Sequence, residues 1–221
     1  MNSIIFENEK GVKINTLEDW NLLLKPREIP KPTPKTNYID IPGGNGTLDL
    51  SEVVANEVKY KDLTISFKFN VLDDNLDWDS KVSQIANFIH GRKMKIIISS
   101  DPFYYYKGRC EVDKFSSNKR LGSIAINCVV SPYKLKIAES VYSVDLGNTK
   151  TTKEIRINND RMTTVPEITC TDNILITFEG NTFSINKGTH KTLDILFKEG
   201  LNLLTVEGTG TITLKYQEGS L

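Results

Sequence analysis

The sequence lacks a charge excess of either sign, a long hydrophobic run and more than a few cysteines. Its 221 residues carry 28 lysines and arginines and 28 aspartates and glutamates, so the formal net charge is zero. This balance argues against nucleic acid, heparin or anionic lipid as the main partner. No apolar run approaches about 18 residues, so we expect no membrane-spanning segment. The three cysteines, Cys110, Cys128 and Cys170, are too few and too scattered for a disulfide framework.

The first seven residues carry neither the basic region nor the hydrophobic region of a signal peptide. We therefore expect the chain to fold in a reducing cytoplasm. Cys110 and Cys128 fall on the apolar side of two predicted strands and face each other if those strands pair. Without a secretion signal, two buried free thiols are favoured over a disulfide bridge.

Motifs for catalysis and for metal or phosphate binding are also missing. The two histidines lie in different halves of the chain: His90 precedes Gly91 at the end of a predicted helix, and His190 lies in a polar turn. An imidazolium at a helix end interacts favourably with the helix dipole, so we assign His90 a capping or surface role. No spacing matches a zinc site, a calcium loop, a P-loop, a dinucleotide fingerprint or a nucleophile elbow. We predict no catalytic residue, no cofactor, no metal and no enzymatic activity.

The composition changes near residue 135, which predicts two domains, 1–135 and 136–221. Fifteen of the 20 threonines lie after residue 135, whereas six of the eight prolines lie before residue 103. In the first domain, alternating apolar residues predict strands over 60–71, 93–99 and 123–130. In the second domain, turn signals separate eight short predicted strands, an arrangement typical of a β-sandwich or jelly roll. The eight strands are 141–146, 154–158, 167–171, 174–178, 182–186, 192–197, 203–206 and 211–216.

Two helices are predicted in the first domain. Apolar residues at helical spacing between 82 and 89 predict a helix that Asp79 or Ser80 caps and Gly91 ends. A shorter helix is predicted to begin at Thr16 and to stop before Pro26.

Residues 25–37 are rich in proline and predict an extended, polyproline-like segment. The prolines are Pro26, Pro30, Pro32 and Pro34. Two interpretations stay open on the residues alone: a surface loop or linker, which composition favours, or an arm that crosses onto a neighbouring subunit.

The segment 41–50 follows, with Pro42, three glycines and Asp49. Gly43 and Gly46 permit positive φ, so we predict a hairpin or tight turn between extended segments. A phosphate cradle is a poor alternative, because the lysine and the helix start that such loops need are missing. The run Tyr104-Tyr105-Tyr106 does not form one stacking platform, because alternate residues of a strand face opposite ways.

Several short motifs occur in a specific order along most of the chain. Thr16-Leu17-Glu18-Asp19-Trp20 is followed by the proline-bearing stretch, and then by Pro42-Gly43 with Gly46 and Asp49. Asp101-Pro102 with Gly108 follows the helix, and Ser131-Pro132-Tyr133 follows the closing strand of the first domain. The C-terminus ends in Tyr216-Gln217-Glu218-Gly219-Ser220-Leu221. Together these motifs resemble those of the distal tail proteins of long-tailed bacteriophages and prophages. Asn21 departs from the pattern, since relatives often have a glycine there.

The resemblance implies a mainly β protein: an N-terminal β-sandwich with one α-helix and an extended arm, then a C-terminal galectin-like β-sandwich. It implies a hexameric ring in the virion tail that connects the tail tube to the tail tip or baseplate and lets DNA pass through a central channel. The implied partners are further copies of the chain, the tail tube protein, and tail-tip, lysin or receptor-binding proteins. Assembly in the cytoplasm of the bacterial host is expected, with no membrane partner and with DNA only in transit.

With this resemblance, the interpretation of the proline segment shifts to an intersubunit arm. The candidate arm residues are Pro26, Ile29, Pro30, Pro32, Pro34 and Tyr38. The motif residues in turns are expected to have a structural role: Pro42, Gly43, Gly46, Asp49, Asp101, Pro102 and Gly108. The chain lacks the long insertions that carry carbohydrate-binding modules in larger relatives, so direct host binding is not expected.

Two alternatives remain open from the sequence. A carbohydrate-binding β-sandwich protein would need coplanar exposed aromatic side chains on the second domain. A tail tube protein would polymerise, whereas a tail-tip ring stops at one closed assembly.

Overall fold

A computed structural model describes residues 3–53, 55–72, 77–118 and 121–221. The chain forms two compact units, Met1–Lys134 together with Leu221, and Leu135–Ser220. In the part of the chain just given, the structure has one α-helix and is otherwise built from β-strands and connecting segments. The prediction of a mainly β fold with one helix is confirmed, and the second predicted helix is wrong.

The strands of the first unit form one antiparallel sheet and a separate hairpin. Along the sheet the strands follow the order β2-β1-β7-β8-β9-β6-β3, and β4 and β5 pair with each other as a separate two-stranded sheet. The elements are β1 (Ile4–Asn8), β2 (Lys13–Asn15), β3 (Leu23–Leu24), β4 (Tyr38–Asp40), β5 (Thr47–Asp49), β6 (Leu63–Leu72), α1 (Trp78–Ile89), β7 (Arg92–Ile98), β8 (Asp101–Asn118) and β9 (Leu121–Val130).

The core of the first unit follows from the period-two pattern of its strands. Phe67 and Phe69 of β6, Ile96 of β7 and Ile126 of β9 are fully buried, while the residues between them point to the other face. Helix α1 adds Ile85 and Ile89 to this core. The strands predicted over 60–71, 93–99 and 123–130 are confirmed as β6, β7 and β9, with small shifts at their ends.

The N-cap of α1 lies two residues before Asp79, the first of the two predicted cap residues. Asp77, not Asp79 or Ser80, is the N-cap, and its carboxylate accepts a hydrogen bond from the Ser80 backbone amide. Gly91 follows the C-cap residue His90 with φ of +75°, as the sequence predicted.

No helix begins at Thr16. The Thr16 hydroxyl instead accepts a hydrogen bond from the backbone amide of Ile4 at 3.0 Å, which ties this turn to β1. Asn21 has φ of +53°, a left-handed conformation that interrupts a helix and that asparagine adopts more readily than most residues. Because Trp20 and Leu22 on either side are buried in the core, tertiary packing overrides the local helix preference.

The strands of the second unit form a sheet with the order β14-β13-β16-β12-β15, and β11 pairs with β16. Strands β10 and β17 pair with each other. The elements are β10 (Lys134–Lys136), β11 (Ser140–Asn159), β12 (Glu167–Cys170), β13 (Ile174–Phe178), β14 (Asn181–Ile185), β15 (Gly188–Lys191), β16 (Gly200–Tyr216) and β17 (Gly219–Ser220).

Two glycine-containing turn signals of the second unit prove to be irregularities inside long strands. Gly147 pairs with Gly210 in the β11–β16 ladder, and the register shifts on either side of Gly147. Both glycines have positive φ, 78° and 77°, which permits a bulge without reversing the chain. The four strands predicted on either side of these signals, 141–146 with 154–158 and 203–206 with 211–216, are therefore only two strands.

Two further predictions for the second unit are wrong. Residues 192–197 form no strand, and only Phe197 makes an isolated bridge, to Thr164. The expected polar turn around His190 is instead strand β15, which pairs with β12. The remaining predicted strands, at 167–171, 174–178 and 182–186, are confirmed as β12, β13 and β14.

No helix formed by the described residues is long and apolar enough to cross a membrane.

Candidate functional site

The proline segment divides into an anchored part and a projecting part. Ile29 packs against the core of its own unit and Pro32 is buried, whereas Pro26 and Pro30 are exposed. The Lys25 amide donates to the carbonyl of Lys68 at 2.9 Å. The first part of the predicted arm therefore lies against its own subunit.

Backbone hydrogen bonds then hold the base of the projecting part. Pro34 forms an isolated antiparallel bridge with Tyr60, flanked by hydrogen bonds from Lys35 N to Lys59 O (2.7 Å) and from Lys61 N to Thr33 O (2.8 Å). All residues from 33 to 49 are exposed. The segment available to a partner thus begins beyond Pro34.

We call residues 38–53 the arm hairpin. Strands β4 and β5 pair in the register Tyr38–Asp49, Ile39–Leu48 and Asp40–Thr47, and all six side chains are exposed. Ile39 and Leu48 lie on one face and are 50% and 53% exposed, although both are apolar. The hairpin is amphipathic, and its apolar face is uncovered in the single chain.

Glycine is needed at two positions of the hairpin turn. Gly43 and Gly46 have φ of +74° and +82°. The turn that contains Pro42 is closed by a hydrogen bond from the Gly44 amide to the carbonyl of Ile41. The predicted hairpin between extended segments is confirmed. Asp49 then accepts hydrogen bonds from the hydroxyl and the backbone amide of Ser51, which lower the pKa of its carboxyl and keep it ionised.

The motif that begins with Asp101 and Pro102 forms the irregular start of β8. The β7–β8 register skips from Ile97–Tyr105 to Ile98–Asp101, so residues 102–104 lack a partner on β7. A proline is tolerated there because the ladder needs no donor from it.

Asp101 anchors Lys134, whose ammonium lies 2.7 Å from its carboxylate and 4.6 Å from the centre of the Tyr104 ring. Burial lowers the pKa of Lys134, but the hydrogen bond and the charge of Asp101 outweigh burial and raise it. This contact joins the start of β8 to the end of the first unit.

Gly108 lies where the backbones of β8 and β9 approach closely. A Cβ atom at Gly108 would stand 2.1 Å from the carbonyl oxygen of Val129 and 2.5 Å from the Cα of Val130. Only glycine fits at this position, which gives the last residue of the Asp101 motif a structural role.

Four cations share the outer face of β7 and β8, and we call this set the cationic face: Lys93, Lys95, Lys107 and Arg109. Lys93 pairs with Arg109, and Lys95 pairs with Lys107. They lie opposite the core because they alternate with buried Met94 and Ile96. Like charges directly opposite each other on adjacent strands are unfavourable.

Among the described residues, Glu7 is the one carboxylate within ion-pair distance of these four cations. Glu7 of β1 lies 2.9 Å from the Lys95 ammonium and 3.5 Å from that of Lys13. Burial of Glu7 acts to raise the pKa of its carboxyl, but the hydrogen bond and charge of Lys95, then those of Lys13, lower it below its ordinary value. Among the residues that the structure describes, Lys93 and Lys107 have no carboxylate partner.

The cationic face continues into two adjoining open depressions of about 440 and 450 Å³. Lys10 and Arg92 join the four cations there, together with the carboxylates Glu7 and Glu9. A third depression, of about 640 Å³, shares Lys93, Lys107 and Arg109 and adds Asp62 and Glu111. Among the described residues that line the three depressions, six cations stand against four carboxylates, an excess of two in a chain whose net charge is zero. The balanced total charge of the sequence hides this local excess. The alternate positions of Lys93 and Lys95, and of Lys107 and Arg109, are the signal that the sequence contains.

The two histidines considered for catalysis each make a structural contact within their own unit. His90 Nδ1 accepts a hydrogen bond from the Val112 amide at 3.2 Å, so its side chain ties the end of α1 to β8. His190 Nε2 lies 2.8 Å from the carbonyl oxygen of Asn186. Within the described ranges, no group of three or more potential metal ligands occurs.

Cys110 and Cys128 pair directly across β8 and β9, as predicted, and both are buried free thiols. Burial raises the pKa of the Cys128 thiol, and burial also raises that of Cys170 to about 11. The thiols of Cys128 and Cys170 are therefore weak nucleophiles in the folded protein.

The second unit, which is described throughout, exposes only one of its aromatic side chains widely. Tyr142 is 40% exposed, whereas Phe178, Phe197 and Tyr216 are buried and Phe183 packs against the core. This arrangement offers no row of coplanar exposed aromatic rings for stacking against sugars.

The comparisons with known proteins bear on the fold. No family model matches the chain, and no curated protein matches it. Among solved structures, the chain is similar to the crystal structure of the SPP1 Dit (gp 19.1) protein, described as a paradigm of hub adsorption apparatus in phages that infect Gram-positive bacteria. The similarity covers 100% of both chains with a TM-score of 0.72 and 14% sequence identity. The chain therefore has the fold of that protein over its full length, and the expected resemblance is supported at the level of fold.

Proposed function

We propose that this chain is a structural protein of a bacteriophage tail, and that six copies form a ring joining the tail tube to the tail tip or baseplate. The observation that carries the proposal is the full-length similarity in fold to a phage hub adsorption protein. The order of the sequence motifs, from Trp20 to the C-terminal Tyr216, supports it independently.

The arm hairpin supports assembly with another chain. Two three-residue strands form no more than a marginal structure in water, because an isolated hairpin buries too little apolar surface. Ile39 and Leu48 remain half exposed, and each strand of the pair has one free edge. Contact with a neighbouring subunit would cover the apolar face, and strand addition would satisfy the edge.

A ring requires two different surfaces on each subunit, because a head-to-tail contact closes only when its rotation returns to the start. A projecting arm and a separate receiving surface meet this requirement. The zero net charge suits a central channel through which DNA passes without being held.

The proposed partners are the tail tube protein on one side of the ring and tail-tip, lysin or receptor-binding proteins on the other. The proposed location is the virion tail, with assembly in the cytoplasm of the bacterial host. The role is structural and needs no catalysis; the two domains would be the ring-forming N-terminal domain and the galectin-like C-terminal domain.

The test is the oligomeric state of the purified chain, alone and with its tail partners. Native mass spectrometry and negative-stain microscopy are expected to show closed rings of six copies. Replacing Ile39 and Leu48 by serine, which removes the apolar surface without adding charge, is expected to shift rings to monomers without lowering the melting temperature, because both side chains are exposed. Leu193→Ser is the matched control, since Leu193 is 83% exposed and lies outside the arm.

Two outcomes would contradict the proposal. A wild-type chain that stays monomeric both alone and with its tail partners would exclude the ring. Open tubes of indefinite length in micrographs would identify a tail tube protein instead.

A further inference from the structure

The charges of the first unit are segregated in space although the chain is neutral. The three depressions beside the cationic face carry an excess of two positive charges among the described residues that line them. The arm hairpin carries Asp40, Asp49 and Glu52 and has no lysine or arginine. These two regions are therefore complementary in sign.

The cationic face is a costly arrangement for a free subunit. Lys93 stands opposite Arg109 and Lys95 stands opposite Lys107, each pair on adjacent strands. Only Lys95 has a close carboxylate, Glu7, among the described residues. A face of like charges that the subunit does not itself neutralise is expected to be completed by an acidic partner.

The arm hairpin has the chemistry of such a partner. Asp40 and Asp49 flank Tyr38 on the face opposite to Ile39 and Leu48. Asp49 is held ionised by Ser51, and Asp40 has no partner among the described residues.

We propose that the arm hairpin of one copy of this chain docks on the cationic face of the next copy. The proposal rests on the proposed ring and names the receiving surface within it. The acidic face of the hairpin neutralises Lys93, Lys107 and Arg109. Ile39 and Leu48 lie on the opposite face of the hairpin, so they stay available for a separate contact within the ring. The docking is between two copies, because both strands of the hairpin are exposed in the single chain and so do not rest on its own cationic face.

Donor and receiver are different surfaces, so each subunit gives one arm and receives another. Such a contact is heterologous and closes into a ring. It also supplies orientation, because oppositely charged patches favour one direction of approach and oppose the reverse.

Two pairs of charge reversals test the docking in the full-length protein. The arm variant carries Asp40→Lys and Glu52→Lys, two exposed side chains without described partners. The face variant carries Lys93→Glu and Lys107→Glu, which place carboxylates opposite Arg109 and Lys95. Replacing like-charge pairs by opposite-charge pairs should maintain or raise the melting temperature, so lost assembly would not reflect unfolding.

Each variant alone is expected to weaken self-association by at least about tenfold at low salt, measured by native mass spectrometry and light scattering. Mixing the two variants is expected to restore rings in which they alternate, because each arm then meets a face of opposite charge. Alternation closes only with an even number of subunits, as six is. Carrying all four reversals in one chain should restore rings as well.

The matched control reverses two other cations of the same sheet, Lys68→Glu with Lys114→Glu. Both pair with Ala125 on the outer face, and neither lines the depressions beside the cationic face. This control is expected to assemble like the wild type.

The outcomes separate this docking from the proposed function. Wild-type rings that tolerate both pairs of reversals would overturn the docking and leave the ring intact. If the face variant still forms rings but binds immobilised DNA more weakly than the wild type, the cationic face is a polyanion site and the docking is overturned. A wild-type chain that never associates, alone or with tail partners, would overturn both.

Discussion

Gly108→Ala tests whether the close approach of β8 and β9 explains a motif glycine. The new Cβ would stand 2.1 Å from the Val129 carbonyl oxygen, which is backbone and cannot rotate away. An ordinary carbon–oxygen contact is about 3.3–3.6 Å, so the two strands must separate locally by about 1.2 Å. Ladder hydrogen bonds stretched that far leave the hydrogen-bonding range. Two lost bonds at about 0.5–1.5 kcal/mol each, added to an overpacking cost of about 1–3 kcal/mol, give a destabilisation of about 2–4 kcal/mol after partial relaxation.

Differential scanning calorimetry provides the measurement. A loss of this size lowers the melting temperature of the first unit by roughly 5–15 °C. Gly122→Ala is a graded comparison, because its Cβ would meet the indole ring of Trp78, a side chain that can shift. Gly46→Ala is the control without a steric clash, because nothing lies within 4 Å of the added Cβ atom. Its φ of +82° is unfavourable for alanine, and the resulting strain falls on the arm hairpin and not on the β8–β9 ladder. If Gly108→Ala melts within about 2 °C of the wild type, the steric reasoning is refuted.

Three further predictions concern the first unit. Glu7→Gln is expected to lower stability at pH 7 by less than about 1 kcal/mol, because the ion pair with Lys95 is partly exposed. Since folding lowers the pKa of Glu7, the wild type is more stable than the variant at pH values above the ordinary value of 4.5, and this difference in unfolding free energy disappears as the pH falls through the folded-state pKa. Urea titrations between pH 3 and 7 would measure the difference. A difference that does not change with pH would contradict the prediction. The thiols of Cys110 and Cys128 should react with a thiol reagent only at the rate of unfolding, and rapid labelling of the native protein would disprove their burial. Asp101→Asn is expected to lower the melting temperature by a few degrees at neutral pH, with less effect in high salt. An unchanged melting curve would show that the ion pair between Asp101 and Lys134 does not contribute to the stability of the fold.

The strands of the first unit were predictable because one face of each is buried. Alternation along β6, β7 and β9 is a local consequence of burial, so the sequence alone reveals it. The helix predicted at Thr16 shows the limit of this reasoning. The residues from Thr16 to Leu24 have helical propensity, but burial of Trp20 and Leu22 in the core stabilises the fold more than a local helix would.

The second unit shows a different limit. A glycine pair signals positive φ, but it does not say whether the chain reverses or bulges. Gly147 and Gly210 face each other across the ladder, so the two irregularities coincide and both strands continue. That coincidence depends on residues 63 positions apart in the sequence, which no local pattern contains.

The candidate site was predictable in part. The hairpin turn at Gly43 and Gly46 and the extended proline segment follow from backbone preferences of single residues. The anchoring of Ile29 and Pro32 against their own unit does not, because it depends on which core residues lie beneath them.

The sequence by itself determined the alternating strands β6, β7 and β9, the single clear helix, the turn glycines and the absence of net charge, because these depend on neighbours along the chain. Only the tertiary structure decided that the neutral total divides into an acidic arm hairpin and a cationic face. Lys93 and Arg109 are 16 residues apart and become neighbours only when β7 pairs with β8. Charge summed over a sequence carries no position, whereas the electrostatic force that two subunits exert on each other depends on where the charges stand.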